Sequence, residues 1–300
     1  MRKEGLKMSE ATPQPSIRYP DNGHMLEDAN VLRNAVHFTT KWRAFTAQSL
    51  MSPDLENFNA DGLSCSVLNA YNAEMTAMED FLGWMFVFRD WKPGTPNGSL
   101  FAQLGRVHVG QDPYSEINAE KLLGSLDEGG LRRLLHVPSD AELELDGFDE
   151  DLRNAIAMSL SANFEGLKRI TNRRIESDRG FVVAFNNVKH LPLAFPTQER
   201  GKPEVLVPRW LKKHPSGRPF VTQLDGIHLQ NFWLEASVDN IRLLANRAII
   251  GQAVLNALLG LVLWTRFGEP YETPLWAVHA TRLQGWLDDY EPQFDRGAPT

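Results

Sequence analysis

Apolar residues recur at helical spacing along most of this chain, and the stretches between them carry the breakers expected at helix ends. Val31, Leu32, Ala35, Trp42, Phe45 and Leu50 form a stripe that predicts a helix over 27–50, closed by Ser52-Pro53-Asp54. Val67, Leu68, Tyr71, Met75, Met78, Leu82, Met85 and Phe86 predict a longer helix over 62–91. Its far end, Phe81 to Phe88, is apolar nearly all round, as in a helix covered on every side. Pro93-Gly94 and Pro96-Asn97-Gly98 then break the chain. A third helix over 149–175 follows from Leu152, Ile156, Leu160, Phe164, Leu167 and Ile170. It opens on Asp149, Glu150 and Asp151 and closes on Arg173 and Arg174, the polarity that suits a helix dipole. Phe181, Ala184, Phe185 and Val188 predict a fourth over 179–190, stopped before Pro192. The last long helix, capped by Ser237 or Asp239, carries the apolar run 248–264, and a short one over 275–287 precedes a polar tail.

The pattern weakens in two places. Over 99–136 only small helices near 119–126 and 131–136 are expected, which makes 99–147 an insertion or a cap on the bundle. Between 193 and 234 the character turns to strand. Glu204–Val207 and Pro219–Leu224 are strand-like, and Asp225-Gly226 is a two-residue hairpin turn into Ile227–Leu229. The expected fold is therefore mainly α, a single multi-helix bundle over 27–290 with a small two- or three-stranded β excursion over 193–234. A disordered N-terminal tail (1–26) and a C-terminal tail (291–300) flank it.

Composition narrows the function classes. A net charge of −7 and a pI near 5.7 exclude the basic footprint of bulk nucleic-acid binding, though a local basic groove is allowed. The single cysteine, Cys65, excludes an intramolecular disulfide and a multi-cysteine zinc site. Set among Leu63, Val67 and Leu68, it is expected to be a buried, inert thiol. With no apolar leader in the first residues, it points to the cytoplasm. The run 248–264 is shorter than the ~20 residues of a membrane span, and Gln252 and Asn256 interrupt it. Desolvating those two side chains would offset much of its insertion energy. The expectation is the innermost helix of a bundle, with no membrane.

The chain lacks a phosphate loop, a Gly-x-Gly-x-x-Gly turn, His-Glu-x-x-His and a Gly-x-Ser-x-Gly elbow. None of its eight histidines lies within four residues of another, so neither a metal nor a cofactor is expected. Glu74, Glu79 and Asp80 read as a solvated face of the second helix. Asn186 and His190, four apart on one helix face, can bond each other or a shared ligand. A helix-end role for His190, favoured by the dipole, is the plainer reading. Lys168, Arg169, Arg173, Arg174 and Arg179 form a basic cluster that either binds phosphate or caps the third helix and pairs with Glu176 and Asp178. Arg209, Trp210, Lys212, Lys213, His214 and Arg218 suit single-stranded nucleic acid or an exposed loop equally.

Two long helices, a helix ending in Asn-x-x-Lys-His, a short β excursion and a closing helix resemble the HEPN-type class of bacterial helical proteins. In active members of that class an Arg, a following polar residue and a His a few residues on make a metal-independent ribonuclease site. The resemblance puts Asn186 and His190 at the polar and His positions, while Phe185 stands where the Arg belongs. A phenyl ring cannot stabilise phosphorane-like charge. What the resemblance implies is a non-catalytic module binding RNA, a nucleotide or a protein partner, in the setting of bacterial defence or toxin–antitoxin systems. One alternative is a metal-independent ribonuclease using His190 with a remote Arg. The other is a dimerising structural or interaction protein, a homodimer without ligand chemistry, for which Trp42, Trp84 or Trp233 would supply an exposed apolar face.

Overall fold

A computed structural model of the protein describes residues 23–109, 126–176, 194–198, 201–210 and 229–269. Helix α1 (Gly23–Asn34) passes through a π-helical turn (Ala35–Thr39) into α2 (Thr40–Ser49) without a break. A 3-10 turn (Pro53–Asn57) follows, opened by the Ser52 hydroxyl accepting from the Asp54 amide. Asn59 caps α3 (Ala60–Asp90) by accepting from the Gly62 amide at 2.9 Å. Then come α4 (Leu100–Val109), α5 (Glu128–Leu134), α6 (Asp140–Leu145) and α7 (Glu150–Glu176). Strands β1 (Phe195–Thr197), β2 (Glu204–Trp210) and β3 (Leu229–Glu235) precede α8 (Val238–Phe267).

Helix α8 is the centre of the bundle. Ser237 caps its start by accepting from the Asn240 amide, and Gly268, at φ 66, ends it in the left-handed conformation that glycine adopts at no steric cost. Among the described residues α8 is the one helix long and apolar enough to cross a membrane, and 78% of that window is buried inside the bundle. Glu74 lies opposite Arg247, and Asp80 opposite Gln252, so α3 and α8 run parallel. Thr40 meets Asn256 while Ala47 clusters with Ala77 and Ala248, so α2 runs antiparallel to both. Small residues let the three axes approach: a Cβ built on Gly251 would lie 3.4 Å from the Ala77 Cβ.

The sheet is antiparallel in the order β1-β2-β3. Val205 pairs with Leu234 and Val207 with Phe232, and Val205, Val207 and Leu234 are buried in the common core at the period of two that a half-covered strand requires. The fold is thus mainly α with a three-stranded antiparallel sheet, as the hydrophobic pattern predicts. Two short helices, α4 and α6, and strand β1 were not expected. Helix α4 is too short for a long stripe, and its start is defined from afar: the Asp28 carboxylate accepts from the Leu100 amide at 2.6 Å and from Trp91 Nε1 at 2.8 Å. Helix α6 rests on a capping box between Ser139 and Glu142. The expected helix at 119–126, save its last residue Leu126, those at 179–190 and 275–287, the strand Pro219–Leu224 and the Asp225-Gly226 turn lie outside the described residues.

Three sequence readings are corrected. Cys65 is exposed rather than buried, because the covered face of α3 runs through Ser64, Val67 and Tyr71. Glu74 is buried, not solvated, because α8 brings Arg247 to it across the bundle. Trp42 and Phe45 point outward, not into the core, because the π turn underwinds the helix ahead of them.

Candidate functional site

The π turn leaves backbone carbonyls that the regular ladder would have used, and buried polar groups need partners. Thr40, itself buried, donates its hydroxyl to the Ala35 carbonyl at 3.1 Å. Asn256, from α8, donates Nδ2 to the Val36 carbonyl at 2.7 Å and also to the Thr40 hydroxyl. The irregularity is therefore built in from two helices. Its effect is to hold Thr40, Arg43 and Ala47 against α3 and α8. Arg43 Nε lies 2.7 Å from Asp80 Oδ2, and Gln252 Nε2 donates to the same oxygen at 2.9 Å.

On the opposite side of the same helix, Phe38, Trp42 and Phe45 line up at i, i+4 and i+7 with 68%, 53% and 71% of their surfaces open. The Arg43 guanidinium stands 5.5 Å from the Trp42 ring centroid, within cation–π reach. Lys41 is exposed beside them, and no carboxylate occurs between residues 29 and 51. The face is aromatic along its crest, with Lys41 at its margin and the Arg43 charge already paired with Asp80. The sequence pattern puts Trp42 and Phe45 in the core stripe, offers Trp42 as an exposed face only for a dimer, and passes over Phe38. The spacing of the three rings was the available signal; the π turn that turns them out was not.

The residues singled out from the sequence are placed unevenly. His190, Asn186, Phe185, Arg179, Lys212 and Lys213 lie outside the described residues. Arg169, Arg173 and Arg174 fall on the last turns of α7, and Trp210 ends β2 in register with Leu229. Lys168 is the described side chain of the set. Its Nζ is 3.5 Å from Glu165 Oε1 and 4.6 Å from the Phe164 ring centroid, a surface pairing within one helix. Trp84 is buried and Trp233 half-buried, which leaves Trp42 as the exposed tryptophan of the three considered.

The described groups with shifted acidity serve packing and capping. His136 ends α5 at φ 55, and its Nε2–H donates to the Phe88 carbonyl at 3.0 Å with the ring edge-on to Trp91 at 5.0 Å. Burial pushes its pKa below the ordinary imidazole value; the Phe88 hydrogen bond opposes this, and the Arg266 charge adds to it. The Glu142 carboxyl is held below its usual range by the Ser139 hydroxyl and amide that bond it in the capping box. Among the described residues no group of three or more His, Cys, Asp or Glu side chains is placed to hold a metal ion. No family model, curated protein or solved structure matches this chain.

Proposed function

We propose that this chain is a non-catalytic helical interaction module, HEPN-like in the order of its elements, that binds a protein partner by taking an amphipathic helix onto the Phe38–Trp42–Phe45 face. The observation that supports it is the outward turn of those three rings. Leaving a large aromatic in water forgoes about 1.5–3 kcal/mol of burial, yet a π turn bonded by Asn256 and Thr40 keeps the rings there. Anchors at i, i+4 and i+7 suit recognition between helices, and π turns recur at functional sites. Phe185, standing where the HEPN arginine would act, favours binding over cleavage.

A displayed library of short helical peptides, panned against the full chain, is expected to return sequences with apolar residues at helical spacing and acidic flanks. Trp42→Ala should weaken a selected peptide by about tenfold or more, as for a central aromatic anchor. If no amphipathic sequence is enriched, while a labelled single-stranded RNA binds and is released by Lys212→Glu with Lys213→Glu, RNA replaces protein as the partner. RNA cleavage lost in His190→Ala at unchanged stability would overturn the non-catalytic reading.

A further inference from the structure

We infer that Asp80, which lies on α3 and outside the aromatic face, is a positioning residue for partner binding: through Arg43 it fixes the Trp42 ring before a partner arrives. This rests on the reading of that face as a helix-docking surface.

Helix geometry alone does not bring Arg43 to Trp42. Neighbouring residues on a helix point about 100° apart and do not face each other. Trp42 turns outward, while Arg43 turns toward α3, where its Nε lies 2.7 Å from Asp80 Oδ2. Yet the guanidinium carbon stands 5.5 Å from the Trp42 ring centroid. A guanidinium is planar and rigid, so the carboxylate that holds its Nε also fixes the plane beside the indole.

Asp80 is itself held from the other side. Gln252, 2% exposed, donates Nε2 to the same Oδ2 at 2.9 Å. Its Oε1 has no hydrogen-bond partner among the described residues, so the amide takes its orientation from Asp80. One carboxylate on α3 thus ties α8, through Gln252, and α2, through Arg43, to a ring on the surface.

Folding stability is a weak reason for this arrangement. The Arg43 and Asp80 side chains are 33% and 23% exposed, and an ion pair open to water on both sides adds little to stability. Binding gains more from it. A tryptophan free to change rotamer has to be immobilised when a partner closes on it, and that ordering subtracts from affinity. A ring already held avoids the loss. Trp42 is where this matters, as the middle ring of the three and the least open of them. Tryptophan at the centre of an interface is a preferred anchor.

The test incorporates fluorotryptophan into the full chain and assigns the Trp42 fluorine signal from Trp42→Phe. In Asp80→Asn, which keeps the shape of the side chain, that signal should move as the ring passes from one orientation to several. The probe for binding is an uncharged helical peptide with leucines at i, i+4, i+7 and i+11 and glutamines between them, so that freeing the Arg43 charge does not enter. It should bind Asp80→Asn about two- to tenfold more weakly than wild type, the range for one side chain that must be ordered on binding. Arg43→Gln should give the same loss, and the double variant no more than either single, because the two residues act in series. Arg43→Gln cuts the link to Trp42 whatever part Asp80 has in folding, so an unmoved Trp42 signal there overturns the proposal even where Asp80→Asn does not fold. A moved signal with unchanged peptide affinity also overturns it, as do losses that add in the double variant. In each of these cases the docking reading stands as long as the peptide binds wild type. If the peptide binds none of the proteins, the docking reading falls and the role of Asp80 in binding falls with it.

Discussion

Glu74 and Arg247 face each other across the contact between α3 and α8, Oε1 to Nη1 3.6 Å, with their side chains 1% and 2% exposed. A pair this deep has lost its hydration on both sides, and its attraction roughly offsets that loss only while both members are present. Arg247→Met alone, or Glu74→Leu alone, is therefore expected to cost about 3–5 kcal/mol. The double variant should recover most of it, since two apolar side chains fill the space without a stranded charge. Urea unfolding of the four proteins gives the cycle. A double variant as unstable as the sum of the singles would show that the two residues act separately.

Asp28 joins three elements through one carboxylate, accepting from Trp91 Nε1 and from the Leu100 amide. Its removal leaves two buried donors unpaired, each worth about 1.5–3 kcal/mol when bonded to a charged acceptor. Asp28→Ala should lower stability by about 3 kcal/mol or more. Hydrogen exchange should rise first at the start of α4, because Leu100 has lost its cap. Equal exchange throughout α4 in both proteins would mean that the helix start is held by Ser99 alone, whose hydroxyl accepts from the Ala102 amide.

How far the sequence reaches depends on where each interaction's partner lies. Helix α8 was legible because its signal is local: a continuous apolar run, a Ser at its cap and a Gly beyond its end. Gln252 and Asn256 stood out as polar interruptions, but their partners, Asp80, Val36 and Thr40, lie at least 172 positions away in the chain. Glu74 was misread for the same reason. The outward face of α2 was hidden differently. The stripe through Ala35, Trp42 and Phe45 is sound for an ideal helix, and the π turn between them, which has no mark in composition, rotates the later positions away. The Asn186–His190 site, the one with chemistry readable from spacing, lies outside the described residues.

His136 ties stability to pH. Its folded pKa lies below the ordinary 6.5, mainly through burial, so the unfolded chain takes up the proton first as pH falls. The stability it contributes is complete above about pH 6.5 and is lost as pH drops through the window below that value. His136→Phe lacks the titration. Wild type measured against this variant by urea unfolding should lose ground between pH 7.5 and pH 5. Parallel curves would show that the ring does not change its charge state differently on folding. At neutral pH the variant should be the less stable protein, since the Nε2–H bond to the Phe88 carbonyl is gone.

Asn256 is the side chain on which the outward turn of the aromatic face depends most directly. Its Nδ2 bonds the Val36 carbonyl inside the π turn and the Thr40 hydroxyl that follows it. In Asn256→Leu the carbonyl loses its shorter bond and keeps the one from the Thr40 hydroxyl at 3.3 Å, a loss that should cost about 1–3 kcal/mol. The cheaper arrangement is then a regular i→i+4 ladder through Ala35–Thr39, which rotates α2 and draws Trp42 and Phe45 toward the core. A thiol placed at Phe45→Cys in a Cys65→Ser background reports this directly, since Cys65 is the chain's one native thiol. Its alkylation rate should fall several-fold when Asn256→Leu is added. A rate that stays the same while stability drops would show that the π turn is set by the chain around it and that Asn256 only adds strength.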